Sequence, residues 1–152
     1  MKNFIDKERI KELLENIKNQ INYLESASSS ISNSNFFEKP SNLERTKAIK
    51  YSLACAIEDV CRIALRIGIG MGWIEAKKGY TEAILTLGEN DALPKELAQH
   101  IKLMPGFRNR LIHDYLPNKF DAQRLYNAMQ NLDDFKKFSS YIIKWVEKYG
   151  KI

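Results

Sequence analysis

The sequence predicts an all-α protein, an up-and-down bundle of about five helices, on three observations. Apolar residues recur at helical spacing in five separate stretches, Pro and Gly punctuate the gaps between them, and no stretch alternates in the manner of a half-buried strand. A chain of 152 residues with 44% hydrophobic content is long enough to bury a substantial core. No shift in composition marks a second domain, so residues 1–152 read as one unit.

The first helix is carried by Ile10, Leu13, Leu14, Ile17, Ile21 and Leu24, with Lys and Glu between them, and runs from about residue 7 to a serine-rich stretch. Residues 26–35 are rich in Ser and Asn and read as a loop, closed by Pro40-Ser41. Asn42 is a suitable N-cap for the next helix, although Arg45 stands where a capping box wants Glu or Gln. From Leu43 to about Ile67 the positions Ile49, Leu53, Ala56, Ile57, Val60, Ala64 and Ile67 follow a helical repeat, and Gly68, Gly70 and Gly72 supply its stop. This is the central helix of the expected bundle.

Thr81 is a good N-cap for a short third helix carrying Ala83, Ile84, Leu85 and Leu87 and ended by Gly88. Pro94 suits the first turn of a fourth helix, which Pro105 and Gly106 should kink or restart, because proline lacks a backbone donor and clashes with the preceding turn. Pro117 bars its continuation, which places His113 and Tyr115 near a helix C-terminus. A last helix, capped by Asp121, carries Leu125, Met129, Leu132, Phe135, Ile142 and Val146. Its aromatics Tyr126, Phe135, Phe138, Tyr141, Trp145 and Tyr149 follow the helical stripe instead of interleaving with lysines, which fits core and interface packing better than base stacking.

Composition excludes several classes. The net charge of +5 and pI near 9.1 lean towards a polyanionic partner, although a lysine excess is also an ordinary solubility device. Cys55 and Cys61 lie six apart on one expected helix, point to different faces and suit a reducing compartment such as the cytoplasm. The N-terminal residues run straight into charge, and no run approaches the roughly 20 apolar residues of a membrane span, so neither secretion nor insertion is expected. No glycine-rich phosphate loop, no Cys/His cluster with zinc spacing and no internal repeat is present, so no metal or cofactor is expected.

The most informative stretch is Arg108-Asn109-Arg110-Leu111-Ile112-His113-Asp114-Tyr115. An arginine is always charged and offers a planar fork to a phosphate, and a histidine can take and give a proton near neutral pH. Together they supply what phosphodiester cleavage needs without a metal. Arg108 and Tyr115, seven apart, share a helix face, whereas His113 lies about 140° round from Arg108. Either the helix unwinds near His113, or Arg108 and His113 of two subunits meet across a two-fold axis. Asn109 suits either a phosphate contact or a backbone bond at the helix restart, and Arg110 suits RNA or a carboxylate. Glu58 and Asp59 on the central helix either stand behind the motif or, more ordinarily, pair with Arg62 or Lys50. His100, without a companion at motif spacing, reads as idle.

These residues resemble the signature of HEPN-fold proteins, specifically the HepT-type ribonuclease toxins (DUF86-like) encoded beside a minimal nucleotidyltransferase antitoxin of the MntA type. The likeness extends through Leu43-Glu44-Arg45, Ala56-Ile57-Glu58, Gly79-Tyr80-Thr81-Glu82-Ala83, Leu93-Pro94-Lys95-Glu96-Leu97-Ala98 and Met104 with Gly106-Phe107-Arg108-Asn109-Arg110-Leu111, in that family's order. Pro105 departs from it. The resemblance implies an all-α homodimer, a metal-independent endoribonuclease toxin with Arg108 and His113 as catalytic residues and Asn109 and Arg110 supporting RNA binding. It further implies that Tyr115 is AMPylated by the cognate nucleotidyltransferase, which silences the toxin. An alternative from another class is a non-catalytic binding subunit that presents substrate or a docking surface to the nucleotidyltransferase.

Overall fold

The longest helix organises the molecule. A computed structural model describes residues 4–113 and 119–149. Within it, α1 spans Lys7–Ser28, α2 Leu43–Gly70, α3 Tyr80–Glu89, α4 Lys95–Ile101, α5 Met104–His113, α6 Lys119–Gln130 and α7 Asp133–Tyr149. Two short 3-10 turns, Ser34–Glu38 and Pro40–Asn42, precede α2, and no strand occurs among the described residues. The all-α bundle expected from the sequence is what is found.

In α2, the apolar repeat buries Ile49, Leu53, Ala56, Ile57, Val60, Ala64 and Ile67. The helix packs most extensively on α1, then on α3 and α5. On its inner side α1 buries Ile10, Leu13, Ile17 and Leu24. It starts where the Asp6 carboxylate accepts the Arg9 backbone N–H at 3.0 Å, satisfying one of the donors that a helix start leaves open. Helix α7 contributes Phe135, Phe138, Ile142, Trp145 and Val146, and one hydrophobic cluster joins residues from Ile10 to Val146.

The serine- and asparagine-rich connection is folded onto this core by Ile31 and Phe37, both buried. Helix α6 lies against it, with the Tyr126 hydroxyl donating to the Ser32 carbonyl at 3.0 Å. Asn42 does stand at the N-cap of α2, but its side chain does not cap the helix; its Nδ2 donates to the Phe36 carbonyl at 2.9 Å and ties the turn together. Helix α3 begins two residues earlier than expected. Gly79 is its N-cap, the Glu82 carboxylate accepts the Gly79 N–H at 3.1 Å, and Thr81 therefore lies inside the first turn. An acid three residues along secures the cap position that a threonine was expected to hold. Gly88 near the end of α3 lets α4 approach closely, since a Cβ there would sit 2.8 Å from the Ala98 Cβ.

Two expected helices are each broken in two, which turns about five helical segments into seven. The fourth ends at Ile101 and restarts at Met104, so Pro105 occupies a first turn, where its missing N–H has no partner to lose. The last ends at Gln130 and restarts at Asp133. The Asn131 Nδ2 donates to the Asn127 carbonyl at 2.8 Å, and Asp133 and Asp134 place negative charge at the new N-terminus. Asp121 falls inside α6, which begins at Lys119. Pro117 lies outside the described residues.

The packing predicts that truncating the buried Ile57, 1% exposed, leaves a cavity between α2 and its neighbours. Ile57→Ala should lower unfolding free energy by about 2–5 kcal/mol in urea titrations, and a loss of less than about 1 kcal/mol would contradict this arrangement.

Candidate active site

Helix α5 is short and contains no fully buried residue, so its rotation is set by the side chains that half-bury. Met104, Phe107 and Leu111 pack against the core, and they turn Arg108 towards α2. There the Arg108 Nε lies 2.8 Å from Glu58 Oε2, with side-chain exposures of 29% and 17%. Both atoms are shut off from solvent and neither has a well-aligned hydrogen bond, so the contact is a charge pair held by proximity. The Glu58 Oε1 accepts the Tyr80 hydroxyl at 2.9 Å and lies 3.6 Å from Arg62 Nε. Arg62 also reaches Asp59 at 4.0 Å, and the Arg108 Nη1 donates to Asn109 Oδ1 at 3.0 Å.

Three helices thus converge on one carboxylate: α2 supplies it, α3 contributes a hydroxyl and α5 a guanidinium. Ionisable groups around it respond to burial. Desolvation holds the Asp59 carboxyl above its ordinary value, with the Arg62 charge working against it. The Tyr80 hydroxyl is raised by burial and then by its bond to Glu58, so it remains a proton donor at neutral pH. The Cys61 thiol is pushed up to about 12 by burial and by Glu58, with Arg108 opposing, which leaves it unreactive.

His113 is exposed at the end of α5. The helix runs as far as His113, so it does not unwind ahead of it and the angular offset from Arg108, about 140° for five residues, is kept. Within one chain the guanidinium is turned to α2 while the imidazole leaves by another side. Asn109 is exposed and engaged by Arg108, not by backbone at the helix restart, and Arg110 is exposed beside it. His100 is exposed in the last turn of α4. Tyr115 lies outside the described residues.

The sequence left Glu58 either behind the motif, orienting its Arg or His, or, more ordinarily, paired with Arg62 or Lys50, and the structure shows contacts of both kinds. The Arg62 contact is present, but Arg108 is closer, and Tyr80 had not been singled out at all. The available signal was a carboxylate amid Ala56, Ile57, Val60 and Cys61, since an acid in an apolar helix requires a nearby cation. On the same face, α2 carries a stripe at helical spacing made of exposed Tyr51, Arg62 and Ile69 and half-buried Cys55 and Leu65, with Tyr51 73% exposed. Ile112 on α5 is exposed too.

Among the described residues, no group of three or more His, Cys, Asp and Glu is placed to hold a metal ion, and no helix is long and apolar enough to cross a membrane.

Comparison with known proteins adds three findings. A family model described as "Ribonuclease HepT-like" matches residues 8–142. A cytosolic protein of unknown function, YutE from Bacillus subtilis, superposes with a TM-score of 0.72 at 17% identity, covering 97% of this chain and 94% of its own. A tri-AMPylated HEPN toxin from Shewanella oneidensis, solved in complex with MNT antitoxin, superposes with a TM-score of 0.73 at 22% identity, covering 93% and 99%. At these identities both likenesses speak for the fold alone. No curated protein matches significantly by sequence.

Two outcomes test the electrostatics. At about pH 8, Ellman's reagent should titrate the half-buried Cys55 in the native protein and reach Cys61 only after unfolding; rapid modification of both thiols would contradict the burial of Cys61. Because the folded state raises the Asp59 value, it binds that proton more tightly than the unfolded chain does, and stability falls as pH rises through the carboxylate range. Asp59→Asn should therefore unfold at higher urea than the wild type at pH 7, with the advantage fading towards pH 4; a less stable variant at pH 7 would overturn this.

Proposed function

The chain belongs to the ribonuclease HepT-like family, and from that premise we propose that it is a metal-independent endoribonuclease toxin that works as a homodimer of single-domain subunits and is silenced by AMPylation of Tyr115. The observation that carries this reading is the pair Arg108 and His113 on one solvent-facing helix, the arginine fixed on α2 and the histidine free. A guanidinium beside the scissile phosphate offsets charge as it builds on the non-bridging oxygens. An imidazole takes the proton of the RNA 2′-hydroxyl, the 2′-oxygen bonds to phosphorus, the bond from phosphorus to the 5′-oxygen breaks, and the leaving oxygen takes up a proton.

One subunit turns the two groups apart, so a shared cleft calls for a second copy. Two-fold pairing brings the same patch of each chain together and supplies two imidazoles, one to accept a proton and one to donate. The exposed Tyr51 and Ile69 on the face of α2 that carries Glu58 support a contact on this face, as does Ile112. Asn109 and Arg110, both exposed, then border the RNA path.

Tyr115 follows His113 by two residues. Its hydroxyl attacks the α-phosphate of ATP on a cognate MntA-like nucleotidyltransferase, pyrophosphate leaves, and the chain retains AMP. The new phosphodiester puts negative charge close to the arginine meant for RNA, which blocks the cleft by occupancy and by neutralisation. The toxin structure of similar fold carries AMP and holds an MNT antitoxin, which supports the same partnership here. Cytoplasmic residence suits the two free thiols.

Purified protein incubated with labelled RNA in chelator should cleave it, and Arg108→Ala and His113→Ala should each lower the rate by about 10²–10⁴ with the fold intact by circular dichroism. No cleavage of any RNA tested would favour a non-catalytic docking subunit. Intact mass after co-expression with the neighbouring nucleotidyltransferase should show added AMP that disappears in Tyr115→Phe; an adduct that persists in that variant would reject Tyr115 as acceptor.

A further inference from the structure

We propose that Glu58 is a positioning residue for Arg108, an inference that rests on the ribonuclease reading: its carboxylate takes the inner edge of the guanidinium so that the outer edge is presented to a phosphate. Among the described residues, no other acid reaches that inner edge. The Arg108 Nε is closed to solvent and 2.8 Å from Glu58 Oε2, while the side chain as a whole stays 29% exposed, so the exposed portion lies towards the Nη end. At that end Nη1 donates to Asn109 Oδ1 at 3.0 Å. With Nε beside the carboxylate as a charge pair and Nη1 bonded to Asn109, the planar group has a preferred orientation, and its remaining donors form a prearranged fork.

Glu58 is itself held. It accepts the Tyr80 hydroxyl at 2.9 Å and lies 3.6 Å from Arg62 Nε, so its carboxylate plane is set by α3 and α2 before α5 adds its charge. Arg62 also shares the carboxylate charge, which leaves more of the Arg108 field directed outward. A flexible arginine must surrender its rotamer freedom when it meets a phosphate, and one already anchored surrenders less. Tyr80 is the support of the support: its hydroxyl points at the carboxylate and not at the RNA path.

The variants Glu58→Gln, Glu58→Asp and Tyr80→Phe of the full chain separate positioning from simple stability. Glu58→Gln keeps the shape and removes the charge. In ¹H–¹⁵N spectra the Arg108 Nε–H, assigned through Arg108→Lys, should be resolved and slow to exchange in the wild type and should collapse to the exchange rate of surface arginines in Glu58→Gln. Cleavage assays should then show kcat lowered about ten- to a hundredfold in Glu58→Gln with KM for RNA within about threefold of wild type, a smaller loss in Tyr80→Phe, and partial recovery in Glu58→Asp. Fast Nε–H exchange in the wild type, or wild-type kcat in Glu58→Gln beside an inactive His113→Ala, sinks this inference and leaves the ribonuclease reading standing. Absence of cleavage by the wild type itself sinks the ribonuclease reading, and this inference with it.

Discussion

A charged guanidinium set against a mostly enclosed carboxylate is the constraint around which the rest of this structure is arranged. A charge drawn out of water needs a partner, and Glu58 has two, Arg108 at 2.8 Å and Arg62 at 3.6 Å. Glu58 therefore ties α5 to α2, and Tyr80 brings the start of α3 to the same point. The helix that carries the motif owes its place to this pair as much as to Phe107 and Leu111, since none of its residues is fully buried. The group that fixes this surface helix is thus a guanidinium whose side chain stays 29% exposed.

That arrangement separates Arg108 from His113 instead of joining them. The helix, uninterrupted as far as His113, carries the imidazole round to another side, and the exposed Tyr51 and Ile69 lie on the face of α2 that carries Glu58. One subunit thus holds Arg108 against α2 and leaves His113 on another side of α5. Membership of the ribonuclease HepT-like family gives the chain a reaction, and the proposed pairing of two copies would bring the two groups to one cleft.

The sequence carried the helices clearly wherever burial imposed a period, as in α1 and α2, and carried the restart at Pro105 through the chemistry of proline. It was less explicit where a helix ends for reasons of side-chain bonding. The break at Asn131 rests on an amide reaching back one turn, and the start of α3 on a glutamate reaching back to Gly79. Neither interrupts the apolar spacing, so neither disturbs the periodic signal. The motif residues were visible from their types and spacing. Their inner partners were not, because Glu58 and Tyr80 are 22 positions apart and Arg108 lies farther along still, and only tertiary packing brings them together.

Subunit complementation tests most directly whether arginine and histidine act from different chains. Arg108→Ala and His113→Ala proteins, each inactive alone, are co-expressed and the mixed dimer is isolated through two different tags. A composite site built from two chains predicts that the mixed dimer regains part of the wild-type cleavage, because the shared cleft again holds a native Arg108 from one chain and a native His113 from the other. A stable mixed dimer that stays as inactive as its parents would contradict the account.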